Sequence, residues 1–314
     1  MTAVFVLAVV AAGCVQASVL LAQARWPHRS PAAAIVLWQA IGLGWGLATV
    51  GTLIGLATVG QGSGVAGGAM TLLNRLAQGR LSLPTASMLT AVRLVCLAAG
   101  LVLLSLLVWV LVAASAAVLR ARQRQRVLLS LLAYGDPKVP GALVVDYPAA
   151  AAYCLPGLRS AIVISAGTLD LLDSAELAAV LAHERAHVRE RHDLVVLPFI
   201  ALLSAFRWCQ AARSAHRAVA LLVEMHADDC ARSELPAREL ATALLRVGAA
   251  GGCQAPAGAL AMSDPELAGE VAQRVTRLLR PVPSLPVPAL ILVGAAAALA
   301  VTVPVAVLLM PFLS

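Results

Sequence analysis

No aspartate or glutamate occurs in the first 119 residues of this 314-residue chain; all sixteen acidic residues lie between Asp136 and Glu270. Charged residues of either sign make up only 12% of the sequence against 61% hydrophobic residues, and mean hydropathy is +0.88. These values lie outside the range of ordinary soluble domains and exclude a purely aqueous protein. The six cysteines contain no C-x-x-C pair: Cys14 and Cys96 fall in apolar runs, and Cys154, Cys209, Cys230 and Cys253 in the charged part. That spacing implies no disulfide framework and argues against a cysteine-rich structural zinc site, so the cysteines read as small buried hydrophobes, with a cysteine as fourth metal ligand the alternative. No internal repeat is present, and a repeat architecture is not expected.

What the acid-free part does contain is long apolar runs. Four segments, 2–22, 33–59, 92–118 and 289–311, are long and apolar enough to cross about 30 Å of hydrocarbon as helices. The first lacks a positive n-region and a persuasive cleavage site before Arg25, so it is expected to remain as an anchor. A fifth run, 194–206, has 13 residues and contains Pro198; it is expected to continue the preceding helix as a buried or interfacial segment. Arg120, Arg122, Arg124 and Arg126 directly follow the third run, and positive residues at span ends are retained in the cytoplasm. The expected topology therefore places 120–288, Arg25 and Arg29 inside, and the N-terminus, the 60–91 loop and the C-terminus outside. Arg75 and Arg80 in the outer loop oppose this with less weight. The 60–91 loop, rich in Gly, Ser and Thr, is too short for a folded sensor domain.

The net charge of +7 is mostly topological, since residues 120–287 hold eighteen basic against sixteen acidic residues, a net of +2. The basic run reads as a stop signal with anionic-lipid contact, and no direct nucleic-acid binding is expected. Beyond 235 the sequence says less: 248–252 is glycine-rich and flexible, and Pro281, Pro283, Pro286 and Pro288 form a stiff lead into the last span.

Within the acidic part, His183-Glu184-Arg185-Ala186-His187 stands out. With six histidines and eight glutamates in the chain, such a pattern arises by chance in about three of a thousand chains of this composition, so chance is a weak explanation. Residues i and i+4 of a helix project side by side, and two imidazoles so placed can reach one zinc ion. A third protein ligand leaves a position for water, whose pKa falls to about 7 on zinc, and Glu184 is placed to act as general base. The best candidate for the third ligand is Glu224, 37 residues after His187, with Asp228 one turn later placed to fix the tautomer of a ligand histidine. His192, His216 and His226 are rivals for the third position; His192 is too near the first pair in sequence to close a site easily. Asp173 and Glu176 are spaced as a capping box opening the zinc helix. The runs 141–147 and 161–165 predict a small sheet. The 161–165 strand either pairs with an extended substrate at an edge or belongs to the sheet core.

The residues I-V-I-S-A-G-T-L-D-L-L-D (162–173), E-L-A-A-V-L-A (176–182), H-E-R-A-H (183–187), Arg191 and E-x-x-A-D (224–228) together resemble the membrane-embedded gluzincins. That group includes the BlaR/MecR-type antirepressor proteases and the HtpX-type and CAAX-prenyl-type membrane proteases. The likeness covers about 150–230, and the flanking apolar segments resemble the BlaR/MecR arrangement. It implies that His183, His187 and Glu224 bind zinc and that Glu184 is catalytic. One departure is that His192 intervenes between Arg191 and Asp193 where related proteins often have aspartate directly, which puts the role of Asp193 in doubt.

The expected fold class is a mainly α membrane protein: about four transmembrane helices, with a cytoplasmic gluzincin-like α+β zinc protease domain between the third and fourth. The expected divisions are 1–119 for the membrane region, 120–288 for the protease domain and 289–314 for the last span. No β-lactam-recognising domain is expected after it. The expected function is a zinc-dependent endopeptidase in the plasma membrane with a cytoplasmic site, cleaving or inactivating a transcriptional repressor. The alternatives are an HtpX-like quality-control protease and a zinc-bearing scaffold or signal relay. Expected partners are a protein substrate and the lipid bilayer, with a homo-oligomer left open. Tyr153, His192 and His216 are candidates for stabilising an oxyanion.

Overall fold

The computed structural model describes residues 1–60, 64–78, 88–137, 139–155, 160–250, 264–280 and 283–309, with backbone only at 76 and 264–267. Arg80, Gly251, Gly252, Cys253 and Pro281 lie outside the described residues. In chain order the elements are α1 (Thr2–Gln23), a 3-10 turn (Trp26–Arg29), α2 (Pro31–Thr58), α3 (Gly64–Ala77), α4 (Met88–Leu132), β1 (Ala133–Gly135), β2 (Ala142–Val145), β3 (Ala152–Leu155), β4 (Ala161–Ser165), α5 (Ala166–Leu171), α6 (Ser174–Arg189), α7 (His192–Ala205), α8 (Gln210–Glu234), α9 (Ala237–Ala249), α10 (Asp264–Leu279) and α11 (Val287–Leu309). They form two compact units. One comprises Met1–Val112, Leu202–Ala215 and Leu285–Ser314, the other Ala113–Ala201 and His216–Ser284.

The first unit carries α1, α2, α3, α11 and the 88–112 part of α4. α1, α2, α4 and α11 are the four described helices long and apolar enough to cross a membrane, matching the four predicted runs and identifying a mainly helical, multi-pass membrane protein. α4 has 45 residues, about 68 Å at 1.5 Å per residue. It continues unbroken through Arg120 to Arg126, so the expected division at 119/120 falls inside a helix. The 60–91 segment is not loop throughout. It holds α3, whose Val65 and Leu72 are buried, Val65 with Leu7, Ala48 and Val307, and Leu72 with Ala57 and Leu97. The helices meet at small residues, which let backbones approach where lipid supplies no hydrophobic drive. A Cβ on Gly44 of α2 would collide with the Ala300 carbonyl of α11, whereas one on Gly42 would meet open space.

The second unit is built on a four-stranded mixed sheet of order β1-β2-β4-β3. β2 and β4 run parallel, and β1 and β3 are antiparallel additions to them. Side chains alternate across a strand. Val144, Ile162 and Ile164 face the cluster of Leu177, Val180, Leu181 and Ala243 from α6 and α9. Val163 on the opposite face packs with Leu129 and Leu155. The substrate-edge reading of 161–165 is therefore overturned: β4 is paired on both sides and lies in the core, as its near-continuous apolar run requires. Among the described residues the unpaired edge beside α6 belongs to β3, a four-residue strand too short to show a period. A second departure is at 194–206, which does not continue the zinc helix. α6 ends, Arg191 adopts φ 52°, and α7 begins anew at His192.

Three residues of the 162–173 run hold the approach to β3. Ser165 Oγ donates to the Ala149 carbonyl and accepts from the Ala151 amide, both at 2.8 Å, and Thr168 Oγ1 donates to the Ala151 carbonyl at 3.0 Å. A Cβ on Gly167 would run into the Pro148 carbonyl. Overpacking against backbone costs about 1–3 kcal/mol. Gly44→Ala is thus expected to lower the melting temperature of the detergent-solubilised protein while Gly42→Ala leaves it unchanged, as differential scanning fluorimetry would show.

Candidate metal centre

α6 opens with the predicted capping box. Asp173 Oδ1 accepts from the Ala175 and Glu176 amides at 2.9 Å, and Glu176 Oε2 accepts from the Asp173 amide at 3.0 Å. Arg246 donates to the same buried Glu176 oxygen at 2.8 Å, so the cap charge is paired. With its start fixed, the helix presents His183 and His187 one turn apart with Nε2 atoms separated by 3.1 Å. α8 brings Glu224 to the same point, Oε2 lying 3.4 Å from His183 Nε2 and Oε1 3.5 Å from His187 Nε2. One donor atom from each of the three lies within 4.8 Å of the others. One turn along α8, Asp228 Oδ1 lies 3.0 Å from His183 Nδ1.

Of the rivals, His192 reaches His187 from behind, through Nδ1 at 3.0 Å. Burial, then the neighbouring His187, pushes its pKa down to about 3, so it is neutral. The break at Arg191 brings it there despite its nearness in sequence. His226 packs against the His192 ring at 5.4 Å, and His216 lies two turns before Glu224 beside Arg217. Tyr153 points to the sheet face that packs Leu155 and Val163, opposite to that of its neighbour Cys154.

Glu184 is half-buried and accepts a hydrogen bond from the Cys154 amide of β3. Burial pushes its carboxyl up to about 7 against the pull of His183. The Cys154 thiol is pushed up to about 12, by burial first and then by Glu184; it is a neutral thiol, not a thiolate ligand.

The sequence pattern missed Arg274. This buried α10 residue grips Asp228 with two bonds, Nε to Oδ2 at 2.8 Å and Nη2 to Oδ1 at 2.7 Å, and its Nη1 meets Glu224 Oε2 at 2.9 Å. Nη2 also comes within 3.5 Å of His183 Nε2. The available signal was pairwise: arginines at 274 and 277, three apart on one helix, match aspartates at 228 and 229, and Arg277 also holds Asp229, at 2.6 Å. Such complementarity needs both helices in view.

The cluster carries more negative than positive fixed charge. Burial opposes ionisation of Glu224 and Asp228, yet Arg274 outweighs it and holds both carboxyls low. Two carboxylates against one guanidinium leave one negative charge before Glu184 is counted, and the His183 proton offsets it in the metal-free protein. Burial disfavours charge on His183, but Asp228 and Glu224 overcome it and push its pKa up to about 9. Burial lowers His187 to about 4, leaving that ring a free lone pair. Two imidazoles and a carboxylate, with one surplus negative charge once His183 gives up its proton, make a donor set that fits a divalent cation.

The donors form a candidate metal site, and one comparison with known families bears on it. A model of Peptidase family M48 matches residues 118–250. This segment includes the sheet, α6, α7, α8 and α9, and is similar to that family of metallopeptidases; it does not single out the BlaR/MecR group. No curated protein and no solved structure matches the chain.

Because His183 in the metal-free protein holds its proton up to about 9, a metal must displace that proton at neutral pH. Affinity for zinc is expected to rise about tenfold per pH unit between pH 6 and 8. Chelator competition at several pH values measures this.

Proposed function

We propose that the chain is a membrane-embedded zinc endopeptidase whose site faces the cytoplasm. The observation that carries this reading is the convergence of His183, His187 and Glu224 beside Glu184, a carboxylate that a purely structural metal site does not need. Zinc suits two imidazoles and a carboxylate, and when bound it polarises a peptide carbonyl and lowers the pKa of water to about 7. His183, His187 and Glu224 hold it, with His183 oriented by Asp228. Arg274 keeps Glu224 and Asp228 ionised as acceptors. Glu184, with a carboxyl poised near neutrality, takes the proton from the attacking water and passes it to the leaving amine. The Cys154 amide holds its carboxylate in place.

The peptide enters as an extended strand along the free edge of β3, because that edge adjoins α6 and Glu184 and the edges of β4 are already taken. Backbone pairing gives affinity with little sequence demand. The arginines at 120–126 support the cytoplasmic orientation, and the apolar helices support residence in the plasma membrane.

Two substrate classes follow from the likenesses. In a BlaR/MecR-like role the enzyme cleaves a cytoplasmic transcriptional repressor; in an HtpX-like role it clears membrane or misfolded proteins. The M48 match is compatible with both. A non-catalytic zinc-bearing scaffold is the third reading, and an intact Glu184 counts against it.

Glu184→Gln keeps the metal ligands and removes the base. It is expected to bind zinc as wild type does and to lose about 10²-fold or more of its peptide hydrolysis. Proteome-wide comparison of new protein N-termini in cells expressing the two forms at equal membrane levels tests the substrate: termini confined to one DNA-binding protein support the antirepressor, and many membrane-protein fragments support quality control. Equal hydrolysis by the two purified forms would sink the catalytic reading.

A further inference from the structure

The turn between α6 and α7 folds back on the metal ligands. Arg191 sits at φ 52°, a left-handed conformation that costs a non-glycine residue about 1–2 kcal/mol. On an unbroken helix, positions 187 and 192 would face about 140° apart. The reversal instead makes His192 the first residue of α7 and sets its Nδ1 3.0 Å from His187 Nδ1, with ring centroids 4.8 Å apart. His192 is only 3% exposed. The following residue, Asp193, accepts a hydrogen bond through Oδ2 from Arg122 Nη2 of α4 at 2.9 Å, with both side chains largely buried.

We propose that His192 is the positioning residue for His187, held in register by the Arg122–Asp193 ion pair. This inference rests on the reading of His187 as a metal ligand. A ligand imidazole gives one lone pair to the metal, so coordination through Nε2 places the ring proton on Nδ1, and a buried N–H needs an acceptor. His192 Nδ1 is the atom in reach, and it accepts when its own proton sits on Nε2. That Nε2–H then stays an unpaired buried donor among the described residues, which is the cost of this tautomer, and no bond on its far side aims the ring. The His226 ring packs against it, and the first turn of α7 sets its position. Asp193 belongs to that turn, and Arg122 ties it to α4.

The two ligand histidines are thereby oriented by different chemistry. Behind His183 the Asp228 carboxylate lies 3.0 Å from Nδ1 and raises the ring's basicity; behind His187 stands an imidazole, which donates less electron density. The inserted His192, the point where this sequence departs from the related pattern, acquires a role, and Asp193 acquires one through it.

The test uses the full-length protein in detergent with cobalt(II) as the probe, reading chelator-competition affinity and the visible d–d spectrum. His192→Leu is expected to weaken cobalt binding about 10–100-fold and to alter the spectrum. His192→Asn, whose Oδ1 replaces the Nδ1 acceptor, recovers most of both. Arg122→Gln produces a smaller change in the same direction, and Arg122→Lys restores the wild-type values. If His192→Leu binds cobalt with wild-type affinity and spectrum while His187→Ala loses it, the proposal is wrong and the metal site stands. If His187→Ala also binds as wild type does, the ligand reading fails and takes the proposal with it. Metal-free circular dichroism shows whether His192→Leu folds. Where it does not, the Arg122 pair decides: identical affinity and spectrum in Arg122→Gln and Arg122→Lys overturn the proposal.

Discussion

A buried carboxylate carries a penalty of several kcal/mol unless a cation and hydrogen bonds meet it, and the second unit buries one, Asp228, beside the partly exposed Glu224. Glu224 and Asp228 lie one turn apart on α8, and Arg274 from α10 answers both. Removing Arg274 would leave Asp228, 1% exposed, facing only a histidine. The position of α10 against α8 is therefore an electrostatic requirement of the site, supported by the packing of Ala179, Ala182, Ala231, Leu240, Val275 and Leu278. Packing brings the helices together, and the charges decide their register.

The same economy governs the sheet. Ser165, Gly167 and Thr168 lie in the 162–173 stretch, and none of them touches the metal-ligating atoms. Their hydroxyls satisfy the backbone of 149–151, and the missing side chain of Gly167 leaves room for Pro148. The result is a short strand, β3, held beside α6 with one edge unpaired among the described residues. Glu184 is bonded to that strand through the Cys154 amide, so the candidate base and the candidate docking edge share one support.

The apolar helices obey a different rule. In lipid the drive to bury side chains is lost, and close approach depends on small residues such as Gly44 against Ala300. The concentration of all sixteen acidic residues between 136 and 270 follows from the same solvent: carboxylates are left out of the apolar runs and gathered where water or a paired cation can hold them.

The sequence by itself determined the elements whose cause is local. Apolar length marked the four long helices, the Asp173 and Glu176 spacing marked the start of α6, and the i, i+4 rule placed His183 with His187 and Glu224 with Asp228. It failed where the cause lies at a distance. Whether β4 lay at an edge or in the core stayed open because pairing partners are invisible in a single run, and the four residues of β3 are too few to show a period. Arg274 looked like any helix arginine until α8 stood opposite it. His192 was discounted by sequence distance, yet one left-handed residue turned it onto His187. Which helix faces which, and which strand keeps a free edge, were decided by tertiary structure alone, because burial and charge pairing act between segments the chain order keeps apart.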